Sequence, residues 1–204
     1  MFESPFTAII SGASGTGKTE WIKKLLKYKG HLIDPEPTHV LYCYGEINPE
    51  IMKLKHDGIE LFNGIPTKAD ILQRPSGMLL ILDDLINDVD PKFLEILYTR
   101  GSHHWNVSVI TVTQNLFDKN IKVPRINSHY IILMKNPQGL LQIKTLGSHL
   151  FPGKTKYFLE SYENAVDSEN YGYLVINMKP NLNDDFKLTS NIFPGEHFTI
   201  YLPL

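Results

Sequence analysis

The sequence predicts an α/β fold built on a mostly parallel sheet, and three observations carry that prediction. Five short apolar runs, Phe6–Ser11, His39–Tyr44, Met78–Asp83, Val107–Thr113 and Tyr130–Met134, are rich in Ile, Val, Leu and Tyr. They are nearly continuous rather than alternating, as strands covered on both faces must be. Helix-type segments separate them, giving a β-α-β-α order joined by crossover helices. The 204 residues, 42% of them hydrophobic and 21% charged, suffice for one sizeable buried core.

Each element has a local reason. Phe6–Ser11 is the first strand, and Thr16–Lys29 follows as an amphipathic helix with Trp21, Ile22, Leu25 and Leu26 on one side. Asn48-Pro49-Glu50, Asp90-Pro91 and Asn136-Pro137 each set an N-cap residue before a proline at the first helical position. From about Phe151 the pattern changes. A helix over Phe158–Val166, a strand over Tyr171–Met178, a polar stretch Lys179–Thr189 and an apolar segment Phe198–Leu202 read as an extension packed on one sheet edge. With no internal repeat, low-complexity tract or long Gly/Ser linker, residues 1–204 are expected to form one domain, its core over about 1–150 and its extension over about 151–204.

Composition excludes several classes. The single cysteine, Cys43, cannot form an intrachain disulfide or a cysteine-based metal site, which suits a reducing, intracellular setting. The apolar run Met78–Leu82 is far short of the roughly 20 residues that cross a bilayer, so no membrane segment is expected. The start, Met1-Phe-Glu-Ser-Pro, lacks the basic and apolar regions of a secretory signal, so export is not expected. With 20 Lys+Arg against 22 Asp+Glu, wholesale coating of nucleic acid is excluded, and any DNA contact must be local.

The chemistry centres on Gly12-Ala13-Ser14-Gly15-Thr16-Gly17-Lys18-Thr19, which matches G-x-x-x-x-G-K-[ST] at every defined position. Glycines let backbone N–H groups curl around a phosphate, the following helix points its positive end inward, and Lys18 reaches the terminal phosphates. Thr19 would hold Mg²⁺ through its hydroxyl. The alternative, a Gly-rich turn without ligand, is disfavoured by the strand before the loop and the amphipathic helix after it. Met78–Asp83 supplies the second requirement, an apolar strand ending in carboxylates. Asp83 is the expected metal-side acid and Asp84 the candidate general base, against the plainer reading that Asp84 only starts a turn. Glu46 is a second candidate base if its strand neighbours the one ending at Asp83; otherwise it caps the helix entered through Asn48.

Gln114, at the end of Val107–Thr113, can hydrogen-bond a γ-phosphate or the lytic water, or simply be surface polarity. Arginine is scarce, occurring only at 74, 100 and 125. Arg100 lies at the wrong end of its strand to reach its own phosphate, but suits an arginine finger acting on a neighbour's. His103 and His104 are adjacent with no third ligand at a useful spacing, which favours a solvated loop or nucleic-acid contact over zinc.

Together these residues resemble the FtsK–HerA superfamily of P-loop ATPases, and within it the small DNA-packaging ATPases of double-stranded DNA viruses and Polinton/Maverick-type elements. The resemblance covers about three quarters of the chain. It rests on Gly12–Thr19, Leu79–Asp84, Thr99–Asn115 and Asn127–Pro137. It implies a P-loop NTPase three-layer sandwich of the additional-strand type, with the Gln114 strand lying between the first strand and the Asp83 strand. It implies ATP and Mg²⁺ at Gly12–Thr19 and Asp83, a base at Asp84, a sensor at Gln114 and a trans finger at Arg100. Asp84 stands where the family usually has Glu. The implied function is translocation of double-stranded DNA into a viral capsid, through a portal vertex, by a pentameric or hexameric homo-oligomeric ring in the host cell at sites of virion assembly. Lys119, Lys122 and Arg125 are candidates for touching DNA phosphates. The rival readings are a P-loop nucleotide or small-molecule kinase, for which three arginines make a thin lid, and a non-catalytic nucleotide-binding assembly module. Neither N-K-x-D nor D-x-x-G occurs, which argues against a GTPase.

Overall fold

The computed structural model describes residues 2–47, 49–180 and 183–203. Among them, nine strands form one sheet: β1 (Thr7–Ser11), β2 (Val40–Tyr44), β3 (Glu60–Asn63), β4 (Met78–Asp83), β5 (Val107–Thr113), β6 (Tyr130–Met134), β7 (Tyr173–Asn177), β8 (Leu188–Ser190) and β9 (Thr199–Ile200). Their order is β3-β2-β4-β5-β1-β6-β7-β8-β9. Neighbours from β3 to β6 are parallel, and those from β6 to β9 are antiparallel. The expected insertion of the Gln114 strand is present: β5 lies between β1 and β4, pairing Thr113 with Ser11 and Val112 with Asp83.

The parallel strands read as continuous apolar runs because both faces are covered. Ile9, Leu80, Leu82 and Val109 pack into one layer with Leu94, Tyr98, Leu146 and Phe158. Their alternates Ala8, Ile10, Leu79 and Ile81 pack into the opposite layer with Trp21, Ile22, Leu25 and Ile51. The helices of the first layer are α3 (Pro91–Ile96), α4 (Leu140–Leu150) and α5 (Thr155–Asp167), and those of the second are α1 (Lys18–Lys27) and α2 (Pro49–His56).

Several boundaries differ from the sequence expectation. Helix α1 begins at Lys18 rather than Thr16, because Gly17 is left-handed at φ 94° and the Thr16 hydroxyl bonds back to the Ala13 carbonyl at 2.8 Å. It stops at Lys27, and a separate helical turn covers Lys29–Leu32. Asp90 caps α3 as expected, accepting the Lys92 N–H at 3.0 Å. Asn136 does not cap with its side chain; Pro137–Gly139 is a 3-10 turn and α4 begins at Leu140. The Asn48 cap lies outside the described residues. The C-terminal extension does continue one sheet edge, but β7 starts at Tyr173, because Tyr171 is left-handed at φ 64°. Strand β3, at one sheet edge, and strand β8, next to the other, were not anticipated; short and partly polar, they carry neither a continuous nor an alternating signal.

Helix α3 runs on into a π-helical segment, Leu97–Gly101. It is pinned to the sheet by the Tyr98 hydroxyl, which donates to the Ala8 carbonyl at 2.7 Å and lies 2.9 Å from the Thr111 hydroxyl. This anchor fixes Arg100, two residues further on, at the surface.

Helices α4 and α5 meet at Gly147, where a Cβ would overlap the Phe158 ring. Gly147→Ala would gain helix propensity worth up to about 1 kcal/mol, yet overpack a filled contact at a cost of about 1–3 kcal/mol. The expected result, read from urea unfolding, is a net loss of up to about 2 kcal/mol.

Candidate active site

The carboxyl ends of β1, β2, β4 and β5 open on one edge of the sheet, where ligands bind in open α/β folds. The loop from β1 to α1 is sutured there between its neighbours: the Gly12 N–H donates to the Thr113 carbonyl (3.4 Å) and the Ala13 N–H to the Lys135 carbonyl (3.1 Å). The left-handed Gly17 then turns the chain into α1, aiming the helix N-terminus at the cavity. The Lys18 ammonium arches back over the loop and donates to the Gly12 and Ala13 carbonyls at 2.8 Å each. Burial pulls its pKa down, while Asp84 and Asp83 push it back up.

Asp83 ends β4 and is mostly buried. Burial raises its pKa; the Tyr42 hydroxyl, donating at 2.5 Å, and the Lys18 charge oppose that rise, and Asp84 adds to it. Asp84 follows in the left-handed region, φ 54°, which Asp tolerates better than most residues. Its carboxylate accepts a bond from the Gln114 side-chain amide at 3.3 Å. Glu46 meets the condition set by its sequence position, since β2 pairs with β4 and Tyr44 lies opposite Asp83.

A cavity of about 770 Å³ gathers these groups: Lys18 and Thr19, Asp83 and Asp84, Glu46 and Gln114 all line it, with Ser14, Gly15 and Gly17. Thr19 and Asp83 offer hard oxygen donors of the kind Mg²⁺ takes. Among the described residues no group of three or more His, Cys, Asp or Glu side chains can hold a metal unaided. A divalent ion at Asp83 would therefore need phosphate and water oxygens to complete its shell.

Arg100 is not brought to this cavity. It is exposed and, among the described residues, makes no ion pair or hydrogen bond. The other two arginines are engaged. Arg74 grips Glu60 through two nitrogens at 3.0 and 2.6 Å. Arg125 stacks 4.0 Å from the Phe117 ring centre and donates to the Leu116 carbonyl at 2.8 Å. Of the three candidates for touching DNA phosphates, Lys119 and Lys122 are exposed and Arg125 is half-buried. The His103 ring packs edge-on against His129, with centroids 5.9 Å apart.

Two site residues escaped the sequence reading. Tyr42 sits mid-strand among apolar neighbours, and only the β2–β4 register reveals that it reaches Asp83. Tyr171 lines the cavity beside Gly17, but its segment reads as the start of a strand.

The raised Asp83 pKa has a consequence for stability. A carboxylate that binds its proton more tightly folded than unfolded loses stability as pH rises from its ordinary value through the raised one. Asp83→Asn cannot ionise and can still accept from Tyr42. It should raise the urea midpoint at pH 7 and leave it unchanged near pH 3, where both states are protonated.

No protein-family model matches the chain. Uncharacterized protein 015R of Frog virus 3 (isolate Goorha) is 26% identical, over 54% of this chain and 38% of that protein, so the chain spans well under half the length of this curated relative. FlaH, a flagellar accessory protein from Methanocaldococcus jannaschii, is 15% identical at a TM-score of 0.46 over 65% of this chain and 72% of its own. The genome packaging NTPase B204 from Sulfolobus turreted icosahedral virus 2, solved in complex with ATP-gammaS, is 14% identical at a TM-score of 0.52 over 97% of both chains. That likeness establishes the fold: a P-loop NTPase sandwich with a mostly parallel central sheet.

Proposed function

We propose that the chain is an ATP-hydrolysing motor that drives double-stranded DNA into a viral capsid, working as a homo-oligomeric ring at a portal vertex. The observation that carries the catalytic part is the convergence of Lys18, Thr19, Asp83, Asp84 and Gln114 on one cavity beneath the Gly12–Thr19 loop. The loop's N–H groups and the α1 N-terminus would hold the phosphates, and Lys18 would swing from the Gly12 and Ala13 carbonyls to the terminal one. Mg²⁺ held by Thr19 and Asp83 would supply positive charge against the phosphate oxygens. Asp84, steadied by Gln114, would take the proton of the attacking water, with Glu46 as the alternative base.

Arg100 is the natural finger because it is the arginine left unengaged, and its anchored π-helical mounting holds it on the outside of the subunit. A neighbouring subunit would receive it. Engagement of Arg74 and Arg125 also weakens the kinase reading, whose phosphate lid needs arginines free to move. The capsid and DNA partners are drawn from the resemblance and from the described work of B204 as a genome packaging NTPase.

ATP turnover per subunit should rise with protein concentration and with added duplex DNA. Arg100→Ala should lower kcat by about 10³-fold or more while leaving ATPγS affinity within about twofold. Asp84→Asn should be similarly inactive. Mixing the two dead variants should restore activity, because one ring interface in about four then pairs an intact Arg100 with an intact Asp84. Turnover that is independent of concentration, indifferent to Arg100→Ala and dependent on a small phosphate acceptor would replace the motor with a kinase.

A further inference from the structure

We propose that Tyr171 is the platform on which the base of a purine nucleoside triphosphate stacks. The inference rests on the nucleotide reading of the Gly12–Thr19 loop and adds the part of the ligand that the phosphate motif leaves unread. Tyr171 lies in the turn between α5 and β7, where β7 pairs Tyr173 with Met134 at the end of β6. That position sets its ring against the phosphate loop: a Cβ added at Gly17 would fall 2.5 Å from the Tyr171 ring carbons Cγ and Cδ1 and 2.6 Å from its Cβ.

The ring nevertheless remains open. Tyr171 is 55% exposed and its hydroxyl has no hydrogen-bond partner among the described residues. A tyrosine placed for packing looks different. Tyr173, two residues on, is 3% exposed, and its hydroxyl donates to Glu196 at 2.7 Å. The other aromatic side chain lining the cavity, Tyr44, is 9% exposed, so among the described residues Tyr171 alone presents an open aromatic ring there.

The backbone explains how the ring is held. At φ 64° Tyr171 occupies a region that a bulky residue rarely adopts, and such outliers persist where the surrounding structure over-determines them. The ring also borders a second cavity, of about 540 Å³, with Thr16, Asp167 and Asn170. A planar base leaving the phosphate loop thus has room beside the ring. Stacking uses the π-face common to all bases, so this platform favours the larger purines without reading their edges.

The test is calorimetric titration of the full chain with Mg²⁺ and ATPγS, UTP or inorganic tripolyphosphate. Tyr171→Asn, which suits a left-handed backbone, should weaken ATPγS binding by about tenfold, leave tripolyphosphate unchanged, and erase the preference for ATPγS over UTP. Tyr171→Phe, which keeps the face, should bind as wild type does. The proposal is overturned if Tyr171→Asn leaves ATPγS affinity unchanged or weakens ATPγS and tripolyphosphate equally. It is also overturned if Tyr171→Phe loses as much as Tyr171→Asn. Retained tripolyphosphate binding reports a folded variant. A wild-type chain that binds neither ATPγS nor tripolyphosphate overturns the nucleotide reading itself, and this inference with it.

Discussion

Burial on both faces of the central strands is the constraint on which the rest of the molecule depends. β1, β2, β5 and β6 are buried at every residue, and β4 at all but its last. Such strands have little room for charge along their length, so chemistry is displaced to the first residues beyond the sheet. Which residues then meet is decided by strand order. Parallel packing of β2, β4, β5 and β1 side by side delivers Glu46, Asp83–Asp84, Gln114 and the phosphate loop to one edge, though they lie far apart in the chain.

The same constraint explains how much of the fold was legible in the sequence. Strands shielded on both faces announce themselves as unbroken apolar runs, and the five apolar runs match five of the nine strands to within one residue. The phosphate loop was legible because its chemistry is local: a backbone cradle needs its glycines and lysine within eight positions. What failed was conformational or distant. Residue type alone does not mark Tyr171 as left-handed, so its turn read as strand. The Tyr42–Asp83 bond spans 41 positions and the contact of Tyr171 with Gly17 spans 154, so neither leaves a pattern in a window of sequence. Arg100 could be named from scarcity. Its isolation became visible only once Arg74 was found on Glu60 and Arg125 on Phe117.

Electrostatics gives the site its incompleteness. The cavity is lined by Glu20, Glu46, Asp83, Asp84 and Asp88, against the single cation Lys18. Burial holds the Asp83 pKa up, and the neighbouring Asp84 carboxylate adds to the rise. A polyphosphate would add several more negative charges in a partly enclosed space where screening by solvent is weak. The α1 N-terminus contributes only about half a unit charge. In the motor proposed above, compensation would come from outside the chain. A divalent cation held by Thr19 and Asp83 would meet part of it. The remainder would fall to a second cation, which no arginine of the same subunit is placed to give, since two are tied to other partners and the third lies away from the cavity. In that proposed motor the acidic lining would make hydrolysis depend on assembly: a lone subunit would cradle a nucleotide through its loop, and a neighbour's guanidinium would act where charge builds in the transition state.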